Sequence, residues 1–128
     1  MYALLILDMQ VGLFHGPEKP WAGEALLARN AGAPIFLARH VGPPGSPIEP
    51  GSPLTQLVPQ LLLQGDEVVF EKNRPNAFVN TALADHLRAC GVEGVVVSGM
   101  KTQYCVDSTC RAARDMGFEA VLIADGHT

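Results

Sequence analysis

The chain has 128 residues, 48% of them hydrophobic and 17% charged, with a formal net charge of −4. That is globular composition, enough for one core and too little for two, so a single domain over residues 1–128 is expected. No basic run tracks phosphates and no apolar stretch approaches the roughly 18–20 residues that span a bilayer, which argues against nucleic acid and membrane as partners.

The first element expected is a strand. "YALLIL", residues 2–7, is a continuous apolar run that stops at Asp8 and suits a strand buried on both faces. It has no basic region before it and no small-residue cleavage site, so it does not read as a signal peptide. "WAGEALLARN" (21–30) is a helical candidate, followed by a second strand, "PIFLARH" (34–40). "VGPPGSPIEPGSP" (41–53) is an extended loop rich in Pro, Gly and Ser. "SPLTQLVPQLLLQ" (52–64) follows as a helix limited by Pro59, then the third strand, "DEVVFEK" (66–72). A helix over "FVNTALADHLRACG" (78–91), capped by Gly91, precedes the fourth strand, "GVEGVVVSG" (91–99). A helix over 104–118, capped by Gly117, precedes the fifth, "EAVLIADG" (119–126). Alternating strands and helices predict a three-layer, Rossmann-like α/β domain with a mostly parallel sheet of at least five strands.

Open parallel sheets bind ligands beyond the carboxyl ends of their strands. The residues there are Asp8, Arg39 and His40, Glu71 and Lys72, Ser98 to Cys105, and Asp125. An acid, a lysine and a cysteine thus converge on one edge. Cys105 falls after a strand end and a Gly turn, at or near a helix N-terminus. There the unpaired N–H groups and the helix dipole favour an anion and lower a thiol pKa. Position leaves two readings open for it, a nucleophile or a small core residue. Asp8 reads as a proton acceptor or as a turn cap. Lys72 reads as a partner of both or as a solvated surface lysine. The three cysteines, Cys90, Cys105 and Cys110, lack the spacing of a disulfide framework and read as reduced thiols of a cytoplasmic protein.

"LLILDMQVGLF", "EKNRPNAFVNTALADHLRACGV" and "VVVSGMKTQYCVDSTCRAARDMGFEAVLIADGHT" resemble the three signature blocks of isochorismatase-like cysteine hydrolases. In the third, Gly99, Thr102, Cys105-Val106, Thr109, Ala112 and Gly117 carry the match. The resemblance implies an Asp8–Lys72–Cys105 triad and a cis peptide at Met100-Lys101. It also implies an oxyanion hole made by the backbone N–H groups of Lys101 and Cys105. The reaction implied is attack of a Cys105 thiolate on a small amide or related C–N or ether substrate, through a thioester. Gln10, Phe14 and Tyr104 are candidate substrate contacts, and Trp21 and Phe78 read as pocket wall or core.

Nicotinamidases, one branch of that family, carry an Asp-x-His metal motif after the second strand. "LARHVGPPG" has His40 alone, so neither a metal nor another cofactor is expected, and His40 reads as a structural or substrate-contacting group. His15 reads as a turn residue and His86 as surface. Cys90 and Cys110 read as packing. Relative to the family pattern, the first helix is short and the chain stops at the fifth strand. A sheet with an uncovered face predicts a homo-oligomer. Two other functions compete: a non-catalytic relative that binds a small molecule or partner, and a redox-sensing thiol protein. A flavodoxin-like binder lacks the Gly-rich phosphate loop after the first strand.

Overall fold

The structure is a computed structural model in which residues 1–13 and 28–127 are described. Its first strand, β1 (Tyr2–Leu7), is buried along Ala3–Leu7 and lies at the centre of the sheet. β2 (Ile35–His40) and β3 (Val68–Lys72) build outward on one side of it. After helix α1 (Leu83–Ala89) the chain crosses over, and β4 (Gly94–Gly99) pairs with the other side of β1. Helix α2 (Asp107–Asp115) then leads to β5 (Glu119–His127) at the edge. The order is β3-β2-β1-β4-β5, and every pairing is parallel. The strand order therefore reverses at β1, and the crevice beyond the carboxyl ends of β1 and β4 is the switch point where such sheets take ligands.

Alternation along β1 divides the core into two layers, because successive side chains of a strand point to opposite faces. Leu5 and Leu7 join Val95, Val97 and Phe36 against Leu83 and Leu87 of α1 and Ala113 of α2. Leu4 and Ile6 join Ile35 and Leu37 against Val58 and Leu61 on the opposite face. Burying each such leucine contributes about 1.5–3 kcal/mol. Phe78 belongs to the first layer, its ring stacked on Phe118 with centroids 6.3 Å apart, so it is core and not pocket wall.

The helix expected over 52–64 does not form. Two 3₁₀ turns, Pro53–Thr55 and Pro59–Leu61, stand in its place. Each proline lacks an N–H and starts a turn, while the residue before it is held extended (Ser52 at ψ 140°, Val58 at ψ 139°). Of the apolar positions, Leu57, Val58 and Leu61 pack against the sheet from the loop, and Leu54 is exposed. Most of the 21–30 candidate lies outside the described residues; its end, Ala28–Asn30, is helical. The helix expected from Phe78 starts only at Leu83.

Both expected glycine caps form. The Phe118 N–H bonds the Ala113 carbonyl at 2.9 Å and the Gly117 N–H bonds that of Arg114 at 3.0 Å, a Schellman motif, and Val92 and Gly91 close α1 in the same way. Gly99 has a stricter requirement. It ends β4 at φ +117°, and a Cβ there would overlap the backbone of Leu7 on β1. Only glycine lets β4 turn away this close to β1.

Candidate active site

Asp8 is the first residue beyond β1. Its backbone is left-handed, at φ +59°, a conformation that costs a non-glycine residue energy but that Asp tolerates better than most. The Asp8 N–H still bonds the Ala38 carbonyl at 3.1 Å, so β1 keeps its ladder while the side chain swings into the crevice. The carboxylate is buried, with 4% of its side chain exposed.

Lys72 ends β3, and none of its side chain is exposed. A buried ammonium must be surrounded by acceptors. Its Nζ lies 3.2 Å from Asp8 Oδ2, 2.9 Å from His40 Nδ1, 3.1 Å from the Arg74 carbonyl and 3.3 Å from Cys105 Sγ. The cation is thus the hub that joins the ends of β1, β2 and β3 to the segment after β4. An ammonium has only donors, so His40 Nδ1 accepts and the ring proton sits on Nε2. Burial, then the neighbouring Lys72 charge, hold His40 below its ordinary pKa, consistent with a neutral ring.

The Met100-Lys101 peptide after β4 is cis. A π-helical turn, Thr102–Val106, follows and runs directly into α2. Cys105 lies inside that turn, the fourth residue of the continuous helical segment, and is buried. Cys105 is thus near a helix N-terminus, as expected, but its surroundings do not acidify the thiol. Burial, then the negative charge of Asp8, push the Cys105 thiol up to about 11, against the opposing pull of Lys72. Burial also raises Asp8 above its ordinary value, in spite of Lys72. Asp8 Oδ1 has no hydrogen-bond partner, and the carboxylate and the sulfur come within 4.8 Å of each other. A weak acid therefore faces a strengthened base, and the thiol and carboxyl interact directly.

A cavity of about 300 Å³ opens over these groups. Leu13, Ile48 and Met100 give it apolar walls, Tyr104 stands at its exposed rim, and Asp8, His40, Lys101 and Cys105 supply its polar atoms. Its size suits a small molecule. A larger groove of about 490 Å³ lies at the opposite end of the sheet, beside Met1, Arg29 and Glu67. There Arg29 is paired with Glu67 and the Met1 amine with Glu93.

Among the described residues, Asp8, His40 and Cys105 form a cluster whose donor atoms could converge on a metal ion. The Lys72 ammonium lies within 3.3 Å of a donor atom of each of them, so a metal would have to displace a buried cation. These residues fit a lysine and do not fit a metal.

Gln10, expected to contact substrate, is fully buried. Its side-chain N–H donates to the His40 carbonyl at 2.9 Å and its Oε1 accepts from the His40 N–H at 2.6 Å. It is a fastener for the end of β2. Tyr104 does border the cavity. Phe14, His15 and Trp21 lie outside the described residues, as does the side chain of Asp125. Thr109 is fully buried; its hydroxyl accepts from the Ala77 N–H at 3.1 Å and donates to the Pro75 carbonyl, tying the loop after β3 to α2. Cys110 is half-buried against the core, whereas Cys90 is exposed and so does not pack as expected.

A parallel sheet whose switch point gathers a carboxylate, a lysine and a cysteine defines an α/β protein of the isochorismatase type. The chain belongs to that family: the Isochorismatase domain matches residues 2–128. It is 32% identical to an uncharacterized isochorismatase family protein, YddQ, of Bacillus subtilis (strain 168), over 96% of this chain and 75% of that one. It is 30% identical to nicotinamidase 3 of Arabidopsis thaliana, over 96% of this chain and 71% of the relative. The crystal structure of an isochorismatase from Pseudomonas putida KT2440 superimposes with a TM-score of 0.84 at 34% identity, covering 98% of this chain and 70% of that one. Two of the three, the nicotinamidase and the isochorismatase, are hydrolases by name, and the fold is that of the solved relative. Among the described residues no helix is long and apolar enough to cross a membrane.

Proposed function

We propose that the protein is a metal-independent cysteine hydrolase of a small amide, with Asp8, Lys72 and Cys105 as its catalytic residues. The observation that carries this reading is the Lys72 ammonium bonded at once to Asp8 Oδ2, at 3.2 Å, and to Cys105 Sγ, at 3.3 Å, with Asp8 and Cys105 both lining the cavity. Asp8 takes the thiol proton as sulfur bonds the carbonyl carbon. The carbonyl π pair moves to oxygen, where the backbone N–H groups of Lys101 and Cys105 stabilise it. Collapse breaks the C–N bond, and the amine leaves with the proton from Asp8. Water, deprotonated by Asp8, then cleaves the thioester, and the thiol is restored on release of the acid. The Lys72 ammonium offsets whichever of the two anions is present.

The upward-shifted thiol would suit a non-catalytic binder, but the upward shift of Asp8 answers it. The base beside the weak acid is strengthened as well, so proton transfer between them is better matched than either shift alone suggests. Nicotinamidase, by its name, cleaves an amide, which supports the choice of substrate class. Val121 and Leu122 on the edge strand β5 are 47% and 40% exposed, which supports a homo-oligomer, testable by sedimentation at low concentration. The decisive experiment is a panel of small primary amides assayed for ammonia release. Intact-mass detection of an acylated Cys105 is expected with the wild type and not with Cys105→Ala. Turnover retained by Cys105→Ala would sink the mechanism.

A further inference from the structure

His40 is the one member of the cluster that the proposed mechanism leaves without a task. It sits opposite Lys72 in the β2–β3 register, and its backbone is clamped on both polar groups by the buried Gln10 amide. Its Nδ1 makes the shortest of the four contacts to Lys72 Nζ, at 2.9 Å. An ammonium has three protons for those four acceptors. The geometry of the hub therefore depends on which acceptors are fixed, and His40 is fixed through its backbone.

We infer that His40 is a positioning residue: a neutral imidazole, locked by Gln10, whose Nδ1 lone pair holds the Lys72 ammonium against Asp8 and Cys105. This rests on the hydrolase reading for its consequence and on geometry for the contact itself. The charged and titratable groups around the ring are Lys72 and Glu71 from β3, Asp8 from the end of β1, and Lys101, Tyr104 and Cys105 from the segment after β4; Arg39 precedes it on β2. Protonated, the ring would lose its acceptor and place a second cation 2.9 Å from the first. An apolar replacement would leave the buried ammonium one acceptor short, and less able to support a thiolate.

Asn provides a discriminating substitution, because its side-chain oxygen can stand near the place of Nδ1 and accept without titrating. The test has two readouts. The first is nitrogen NMR of the His40 ring, identified by its loss in His40→Asn. The wild type is expected to carry its proton on Nε2, and Lys72→Met to move the ring toward a tautomer mixture with a pKa nearer the ordinary range. The second is the rate of Cys105 alkylation by iodoacetamide near pH 9, read by peptide mass spectrometry. His40→Leu is expected to react at least about tenfold more slowly, the scale of one hydrogen bond to a charged group, and His40→Asn within about threefold of wild type. Preserved amide dispersion identifies folded variants.

A proton on Nδ1, or a ring unmoved by Lys72→Met, would overturn the contact. Equal alkylation of folded wild-type, Asn and Leu forms would overturn the positioning role. A Cys105 inert in the wild type beside a ring protonated on Nε2 would instead overturn the hydrolase reading and leave the contact supported.

Discussion

Two carboxylates of this protein each face a cation, one at either end of the sheet, and their chemistry diverges. Glu67, at the amino end, accepts from Nε–H and Nη2–H of Arg29 and from the backbone N–H groups of Gln64 and Gly65. Burial opposes its ionisation, but these donors outweigh it and pull the carboxyl down to about 2. Asp8, at the carboxyl end, has one oxygen on Lys72 and only the Cys105 thiol as a further donor among the described residues, and burial raises it. The opposite charge beside each is similar; the number of donors is not. A fully bonded carboxylate is a fastener, and an under-bonded one remains able to take a proton.

The comparison is broken most severely at the reactive end. Cys105→Ala should remove amide turnover by at least about 10³-fold with the fold retained, since a nucleophile has no substitute. Asp8→Asn keeps the left-handed backbone that Asn also tolerates and removes only the base. Turnover should fall by about 10²–10⁴-fold, the usual range for a lost general base, measured as kcat/KM for ammonia release. An Asp8→Asn enzyme at wild-type rate would make Asp8 a turn cap after all.

Backbone comes next. Gly99→Ala meets Leu7 on the central strand, where neither backbone can yield without opening the β1–β4 ladder. A loss of about 3 kcal/mol or more in urea unfolding is expected, at the severe end for a single substitution. Retention of wild-type stability would mean that β4 can leave β1 by another path.

Glu67→Gln should cost about 1–3 kcal/mol at neutral pH, as a charge-assisted fastener does. The pH dependences of the two carboxylates have opposite signs. Glu67 is held below its ordinary value of 4.5, so its contribution is present above 4.5 and is lost as pH falls toward 2. Asp8 is held above its ordinary 3.8, so the native state binds the proton more tightly and loses stability as pH rises from 3.8 through the raised value. Urea midpoints between pH 2 and 7 test this. Glu67→Gln should approach wild-type stability toward acid pH, whereas Asp8→Asn should gain on the wild type as pH rises.

What was legible in the sequence follows the same division. Apolar runs locate all five strands, most cleanly β1, β2 and β4 inside the sheet, where burial leaves little polar alternation to blur them; the edge strands β3 and β5 keep exposed positions such as Val69 and Val121. Asp8, Lys72 and Cys105 are placed by strand ends and by the resemblance. The segment 52–64 misleads because its apolar spacing is helical while Pro53 and Pro59 permit only short turns. The direction of the Cys105 shift is not readable at all, since it depends on burial and on an acid 97 positions away in sequence. The bond between Gln10 and His40 is equally hidden: an amide beside a site reads as a substrate contact until its partners are seen.

A third carboxylate sets the lower limit of the comparison. Asp107 opens α2 and accepts from Arg111 Nε at 2.9 Å, one helical turn on, with 49% and 78% of the two side chains exposed. Water competes for both charges, and holding two long side chains together costs entropy. Arg111→Ala should therefore change stability by less than about 0.5 kcal/mol, and by less still at high salt. If it instead matched the loss in Glu67→Gln, an arginine–carboxylate contact alone would suffice to make a fastener. Burial and the backbone donors around Glu67 would then not be what separates the two ends of the sheet.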